Sequence, residues 1–158
     1  MNPRIEEIRT ALAANLEETK RLAVSLSSDD LKRRAANGWT LGQLAKHVAI
    51  SPGDDVWLTS RLRNGRDANV PAFLSFIPAM RNWMSLRGAS SITPDELDRL
   101  ADDAHKKLIA CVDTLKDDEL DKSGVIFGMG RNSVYEFLSK SVSGHAEEHR
   151  AEIRAAKQ

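Results

Sequence analysis

The fold class that this sequence predicts is an all-α four-helix bundle, and three observations carry it. Capping strings Thr40–Gln43, Thr93–Glu96 and Ser133–Glu136 each precede an apolar-periodic run, while Asn2-Pro3 opens a fourth run at the N-terminus. Within those runs the apolar residues recur in steps of three and four, whereas only Val125-Ile126-Phe127 hints at a strand. A chain of 158 residues is long enough for one domain with a proper core and short for two, so a single domain over residues 1–158 is expected.

The first helix is expected over about residues 3–26, with Ile5, Ile8, Leu12, Leu16, Thr19, Ala23 and Leu26 in one stripe. Ser27-Ser28-Asp29-Asp30-Leu31 can cap a short helical turn that fades into the loop chemistry of Ala35-Ala36-Asn37-Gly38. Helix two begins at Thr40, where Trp39 and Leu44 form a hydrophobic staple, and it can run to Arg63 before Asn64-Gly65. Pro52 removes the hydrogen bond to the Val48 carbonyl and is expected to kink it. Gln43, Ser51, Asp54 and Asp55 fall near the face of His47, where they either solvate the helix or line a site.

Residues 66–92 carry Pro71, Pro78 and Gly88 and read as a long crossover with one short helix around 79–86. Phe73, Phe76, Met80 and Trp83 in this stretch either cover the bundle end or form an apolar substrate wall. Helix three opens at Thr93-Pro94, and its seam runs through Leu97, Ala101, Ala104, Leu108, Cys111 and Leu115. Cys111 reads as packing rather than as a nucleophile, and His105 as a boundary or surface residue. Residues 117–131 are polar and then glycine-rich, a turn or short ribbon, before helix four starts at Ser133.

Lys plus Arg number 23 and Asp plus Glu number 23, so no excess positive charge exists to hold a phosphate backbone. Nucleic acid is therefore not an expected partner. No window approaches the ~18 uncharged apolar residues of a membrane span, and Met1 to Glu7 is polar rather than a signal peptide, which predicts a cytoplasmic protein. With Cys111 as the single cysteine, any metal must be held by nitrogen and oxygen.

Candidate ligands are present. His145 and His149 stand four apart on helix four, so they present two imidazoles one turn apart on one face, and His47 is a third candidate on helix two. The short connector after helix one makes helices one and two antiparallel, whereas the long crossover lets helix three run parallel to helix two. The resulting order is up-down-down-up. Helix four is then antiparallel to helix two, and His47, His145 and His149 lie at depths that can coincide. A di-iron bundle site is excluded because no Glu precedes any of the four histidines by three positions. His145-Ala146-Glu147-Glu148-His149 matches H-x-x-E-H, but a peptidase of that type needs a further ligand downstream and only nine residues remain.

Gly38-Trp39-Thr40 leading to His47, then a long crossover, then H-x3-H on a last helix ending in Ile153, resembles the DinB-like metalloenzymes over essentially the whole chain. They are unrelated to the DNA polymerase of that name. The resemblance implies an up-down-down-up bundle, often a homodimer, that binds zinc or nickel through His47, His145 and His149. It also implies chemistry with low-molecular-weight thiols, since relatives include bacillithiol and mycothiol S-transferases and a mycothiol-dependent maleylpyruvate isomerase. Ala151 and Glu152 stand where the family ending H-R-G-Q-I has Gly and Gln, and the isomerase's additional C-terminal domain has no counterpart before Gln158.

The expected function is a metal-dependent thiol S-transferase acting on a small molecule. A non-catalytic metal- or small-molecule-binding bundle and a metal-dependent hydrolase are the alternatives. Glu152 and Glu148 are the candidate catalytic groups. Glu152 shares a face with both helix-four histidines, where it accepts a ligand's second ring N–H or acts as a base; otherwise it pairs with Arg150 or Lys157.

Overall fold

A computed structural model describes residues 2–68 and 86–158. Helix α1 spans Pro3–Ser25, and the Asn2 side chain caps it by accepting the Arg4 N–H at 2.8 Å. Helix α2 spans Leu41–Arg63 and opens on a complete capping box: Thr40 Oγ1 accepts the Gln43 N–H, and Gln43 Oε1 accepts the Thr40 N–H. Pro52 stays inside α2, and the Val48 carbonyl that it leaves without a backbone donor receives the Ser51 hydroxyl at a long 3.5 Å.

Helix α3 spans Pro94–Asp113, capped by Thr93 Oγ1 on the Glu96 N–H. The glycine-rich stretch forms the anticipated ribbon, an antiparallel hairpin of β1 (Ser123–Ile126) and β2 (Gly130–Ser133). The last helical rod starts at a second complete capping box on Ser133 and is built from α4 (Val134–Glu136), a π-helical turn (Phe137–Ser141) and α5 (Val142–Lys157). No sequence signal anticipated the π turn. Except for Leu86, the short helix expected around 79–86 lies outside the described residues, as do Phe73, Phe76, Met80 and Trp83. Among the described residues no helix is long and apolar enough to cross a membrane.

Ion pairs and hydrogen bonds between helices read out the direction of each. Arg9 near the start of α1 pairs with Asp113 at the end of α3, and Lys20 near the end of α1 pairs with Asp98 and Asp102 near the start of α3. These two helices are antiparallel. Arg63 at the end of α2 donates to Glu119 and Thr114 just beyond α3, so α2 and α3 run the same way. Tyr135 reaches Glu7, and Lys157 reaches the Ser25 carbonyl, so the last rod runs with α1. The bundle is up-down-down-up, with the crossover between α2 and α3.

Two apolar clusters fill the bundle. One gathers Ile8, Leu12, Leu62, Leu108, Val112 and Phe137, the other Leu22, Leu41, Leu44, Leu97, Ala101 and Ile153. Between them lies a buried polar layer: Asn15 and Thr19 from α1, His105 from α3 and Arg150 from α5. Arg150 donates to Asn15 Oδ1 at 2.6 Å, to Thr19 Oγ1 at 3.3 Å and to Glu147 Oε2 at 3.0 Å. A buried guanidinium is thus matched by acceptors on two helices, as its desolvation requires.

His105 departs from the sequence expectation. It is fully buried rather than at a boundary or on the surface. Its Nδ1 must carry the proton, because the Ala101 carbonyl at 2.9 Å can only accept, and Nε2 then accepts from Asn15 Nδ2 at 3.3 Å. The partner that makes burial tolerable is on another helix, 90 positions away, which periodicity cannot see. Cys111 is half-buried and burial pushes its thiol up, in keeping with a packing role.

Candidate metal centre

His47 occupies the second turn of α2, ahead of Pro52, and the capping box that starts that helix sets its direction. The π turn precedes the helix that carries His145 and His149. A π turn inserts one residue into the helical register and so rotates the face that follows, which is why such turns recur at functional sites. Antiparallel packing of α2 against α5 then brings the three imidazoles together.

His47 Nε2 and His145 Nε2 lie 3.0 Å apart, and one nitrogen from each of His47, His145 and His149 can be chosen so that all lie within 4.8 Å of one another. Two nitrogens bound at ~2.0–2.1 Å in a tetrahedral arrangement would be about 3.3 Å apart. The cluster therefore has the dimensions of a site for one divalent ion. Protonation fits as well. Burial, then the proximity of His145 and His149, holds His47 down to about 4, and burial followed by the His149 charge lowers His145. Both rings are neutral at pH 7, the form that donates a lone pair.

The third ring is oriented by its own helix. His149 Nδ1 donates to Glu152 Oε2 at 3.1 Å, which leaves Nε2 as the free lone pair. The same carboxylate oxygen accepts from Asn37 Nδ2 at 3.0 Å, and Asn37 Oδ1 accepts the Trp39 N–H at 3.0 Å. Gly38, at φ 86°, supplies the backbone conformation that this turn needs. Trp39 stacks on His149 with ring centroids 6.4 Å apart and meets His47 edge-on at 5.6 Å, so it closes one side of the cluster.

Of the partners considered for Glu152, the histidine is the one that it meets. Arg150 turns inward to the polar layer, and Lys157 reaches Ser25 and Asp30. Glu148 lies beside His145 on a cleft of about 390 Å³ that is also lined by Gly128, Met129, Lys140 and Gly144. Gln43 is consumed by its capping box and does not line the site. Asp55, two turns after His47 on α2, is half-buried, and burial beside Asp54 pushes its carboxyl up to about 7. Asn37 and the packing of Trp39 on the rings went unread in the sequence. The one available hint was Asn37-Gly38, which marks a turn without saying what the turn faces.

The fold and this cluster define a class: up-down-down-up helical bundles with a nitrogen-donor pocket able to take one cation. The chain belongs to the DinB superfamily, whose family model matches residues 11–153. Comparison with curated proteins finds no match. Among solved structures, the chain is similar to YfiT from Bacillus subtilis, with a TM-score of 0.75 at 17% identity over 99% of this chain and 87% of that one. YfiT is described as a probable metal-dependent hydrolase with an unusual four-helix bundle topology. The chain is also similar to the mycothiol-dependent maleylpyruvate isomerase, with a TM-score of 0.70 at 18% identity, covering 97% of this chain and 63% of the isomerase. At these identities the likeness is one of fold.

Proposed function

We propose that His47, His145 and His149 hold one divalent ion, zinc or nickel, and that the protein is a metal-dependent S-transferase for a low-molecular-weight thiol. The observation that carries the metal part is the convergence of three imidazoles, one with its second ring nitrogen already committed to a carboxylate. A bound divalent ion would lower the pKa of a thiol or water at the site. The protein's own residues supply the rest: Glu152 fixes the His149 tautomer, Trp39 excludes water from one side, and the cleft beside His145 admits the substrate. The mycothiol dependence described for the isomerase supports the thiol part.

Metal-dependent hydrolysis is the second reading, favoured by Glu148, a carboxylate on the cleft wall placed to take a proton from an attacking water. A bundle that binds metal or ligand without turnover is the third. The family resemblance also leads us to propose a homodimer, which a monomeric mass by light scattering at micromolar concentration would refute.

The test is elemental analysis of tag-free protein, followed by thiol-consumption assays with several low-molecular-weight thiols and a chloro- or epoxide-type acceptor. About one zinc or nickel per chain, lost in His47→Ala, is expected together with metal-dependent thiol loss. Metal binding with ester or amide cleavage but no thiol loss would favour the hydrolase. Absence of bound metal after reconstitution would overturn both enzyme readings.

A further inference from the structure

The buried residues of α5 are Val142, Ala146, Arg150 and Ile153, a seam in steps of four, four and three. The third of them carries a guanidinium whose side chain is only 5% exposed. A seam position by itself takes an apolar side chain, which needs no acceptors brought to it. What the guanidinium adds is direction, because apolar contact has none whereas a hydrogen bond fixes distance and angle.

Direction matters because little else sets the rotation of α5 at the level of the histidine pair. The seam residue between His145 and His149 is Ala146, which offers a neighbouring helix a single methyl group. The π turn at Phe137–Ser141 lies immediately upstream, and as a one-residue insertion it frees the register of the helix that follows from that of the helix before it. His145 and His149 each precede a seam residue by one position and turn with α5, whereas His47 stands on α2. A ring at the ~5–6 Å outer radius of a helix moves about 1 Å for each ~10° of rotation, several times the ~0.2 Å tolerance of a metal–nitrogen bond.

The anchor on α1 is specific. Arg150 donates to Asn15 Oδ1 at 2.6 Å and to Thr19 Oγ1 at 3.3 Å, while its Nε donates at 3.0 Å to Glu147, which also pairs with Arg154. Asn15 cannot turn its amide over, since its Nδ2 is committed to His105 Nε2 at 3.3 Å and the His105 Nδ1–H to the Ala101 carbonyl at 2.9 Å. The acceptor that meets Arg150 is thus oriented by α3.

We infer that Arg150 is a positioning residue for the metal centre: anchored on Asn15 and Thr19, it sets the rotation at which α5 presents His145 and His149 to His47. The inference rests on the metal part of the reading above and is independent of the thiol part.

Cobalt titration of the full chain provides the test. Cobalt(II) held by three imidazoles in a four-coordinate site absorbs strongly in the visible, and it loses that intensity when water replaces a ligand. Arg150→Met should bind cobalt about 10- to 100-fold more weakly. At saturating cobalt its bands should fall toward those of His47→Ala, because rotation of α5 carries the histidine pair away from that ring. Arg150→Lys keeps the charge but loses the fork, so it should lie between wild type and Arg150→Met, and it carries the comparison if Arg150→Met does not fold. Ile8→Val, a truncation of a fully buried residue about two turns before Asn15 on α1, should lower the melting temperature and leave cobalt affinity and spectrum unchanged. Wild-type affinity and spectrum in the Arg150 variants, or an equal loss in Ile8→Val, overturns the inference while leaving the metal reading intact. Wild-type protein that binds no cobalt sinks the metal reading and this inference with it.

Discussion

Replacing Glu152 by Gln isolates one interaction of the site, because it removes a charge and little else. The Glu152 carboxylate accepts the His149 Nδ1–H at 3.1 Å and the Asn37 amide at 3.0 Å, and its side chain is 42% exposed. Gln keeps an oxygen in the same place, so the bond to His149 changes from charge-assisted to neutral. Charge-assisted bonds contribute roughly 1.5–3 kcal/mol against roughly 1 for neutral ones, a difference of roughly 0.5–2 kcal/mol, and partial exposure argues against its upper end. A loss of about 1.4 kcal/mol is a tenfold weaker metal, the lower edge of the roughly 10- to 100-fold range for such outer partners. Glu152→Ala, which also removes the acceptor, should approach the upper edge. Competition against a chromogenic chelator measures the affinity, and a thermal melt of the metal-free variants checks that the fold survives. Metal affinity and thiol-dependent activity both within twofold of wild type for Glu152→Gln would refute a functional role for this carboxylate.

Three further outcomes are expected. In metal-free protein the unfolded chain binds protons near pH 6.5 that folded His47, held to about 4, refuses, so stability falls as pH drops from 6.5 to 4. His47→Ala should remove about 1–3 kcal/mol of that acid loss, and parallel urea melts at pH 7 and pH 4.5 read it. Asn15→Leu should cost about 3–5 kcal/mol because it leaves the buried Arg150 guanidinium without its shortest acceptor, while Arg150→Met costs about 1–3 kcal/mol; the double variant should be more stable than Asn15→Leu alone. Gly42→Ala should lower stability by about 1–3 kcal/mol, since the added Cβ would lie 2.3 Å from the Ala89 carbonyl oxygen, and an unchanged denaturation midpoint would contradict that packing.

The helix starts were readable because capping is local. Thr40, Thr93 and Ser133 each bond a backbone N–H three residues on, so the signal and its partner sit in one short window. The histidine pair at 145 and 149 was readable for the same reason, one turn of one helix. The meeting of His47 with that pair depends on topology, which a short first connector and a long second one imply. Tertiary structure alone decided the rest. Asn15, His105 and Arg150 come from three helices, and their burial depends on hydrogen bonds that span 90 and 135 positions. Asn37 reaches Glu152 across 115 positions, and the π turn at Phe137–Ser141 has no local signature. Periodicity reports which face of a helix is apolar, but a buried polar residue is tolerated only by the partner it finds, and that partner exists only once the bundle has closed.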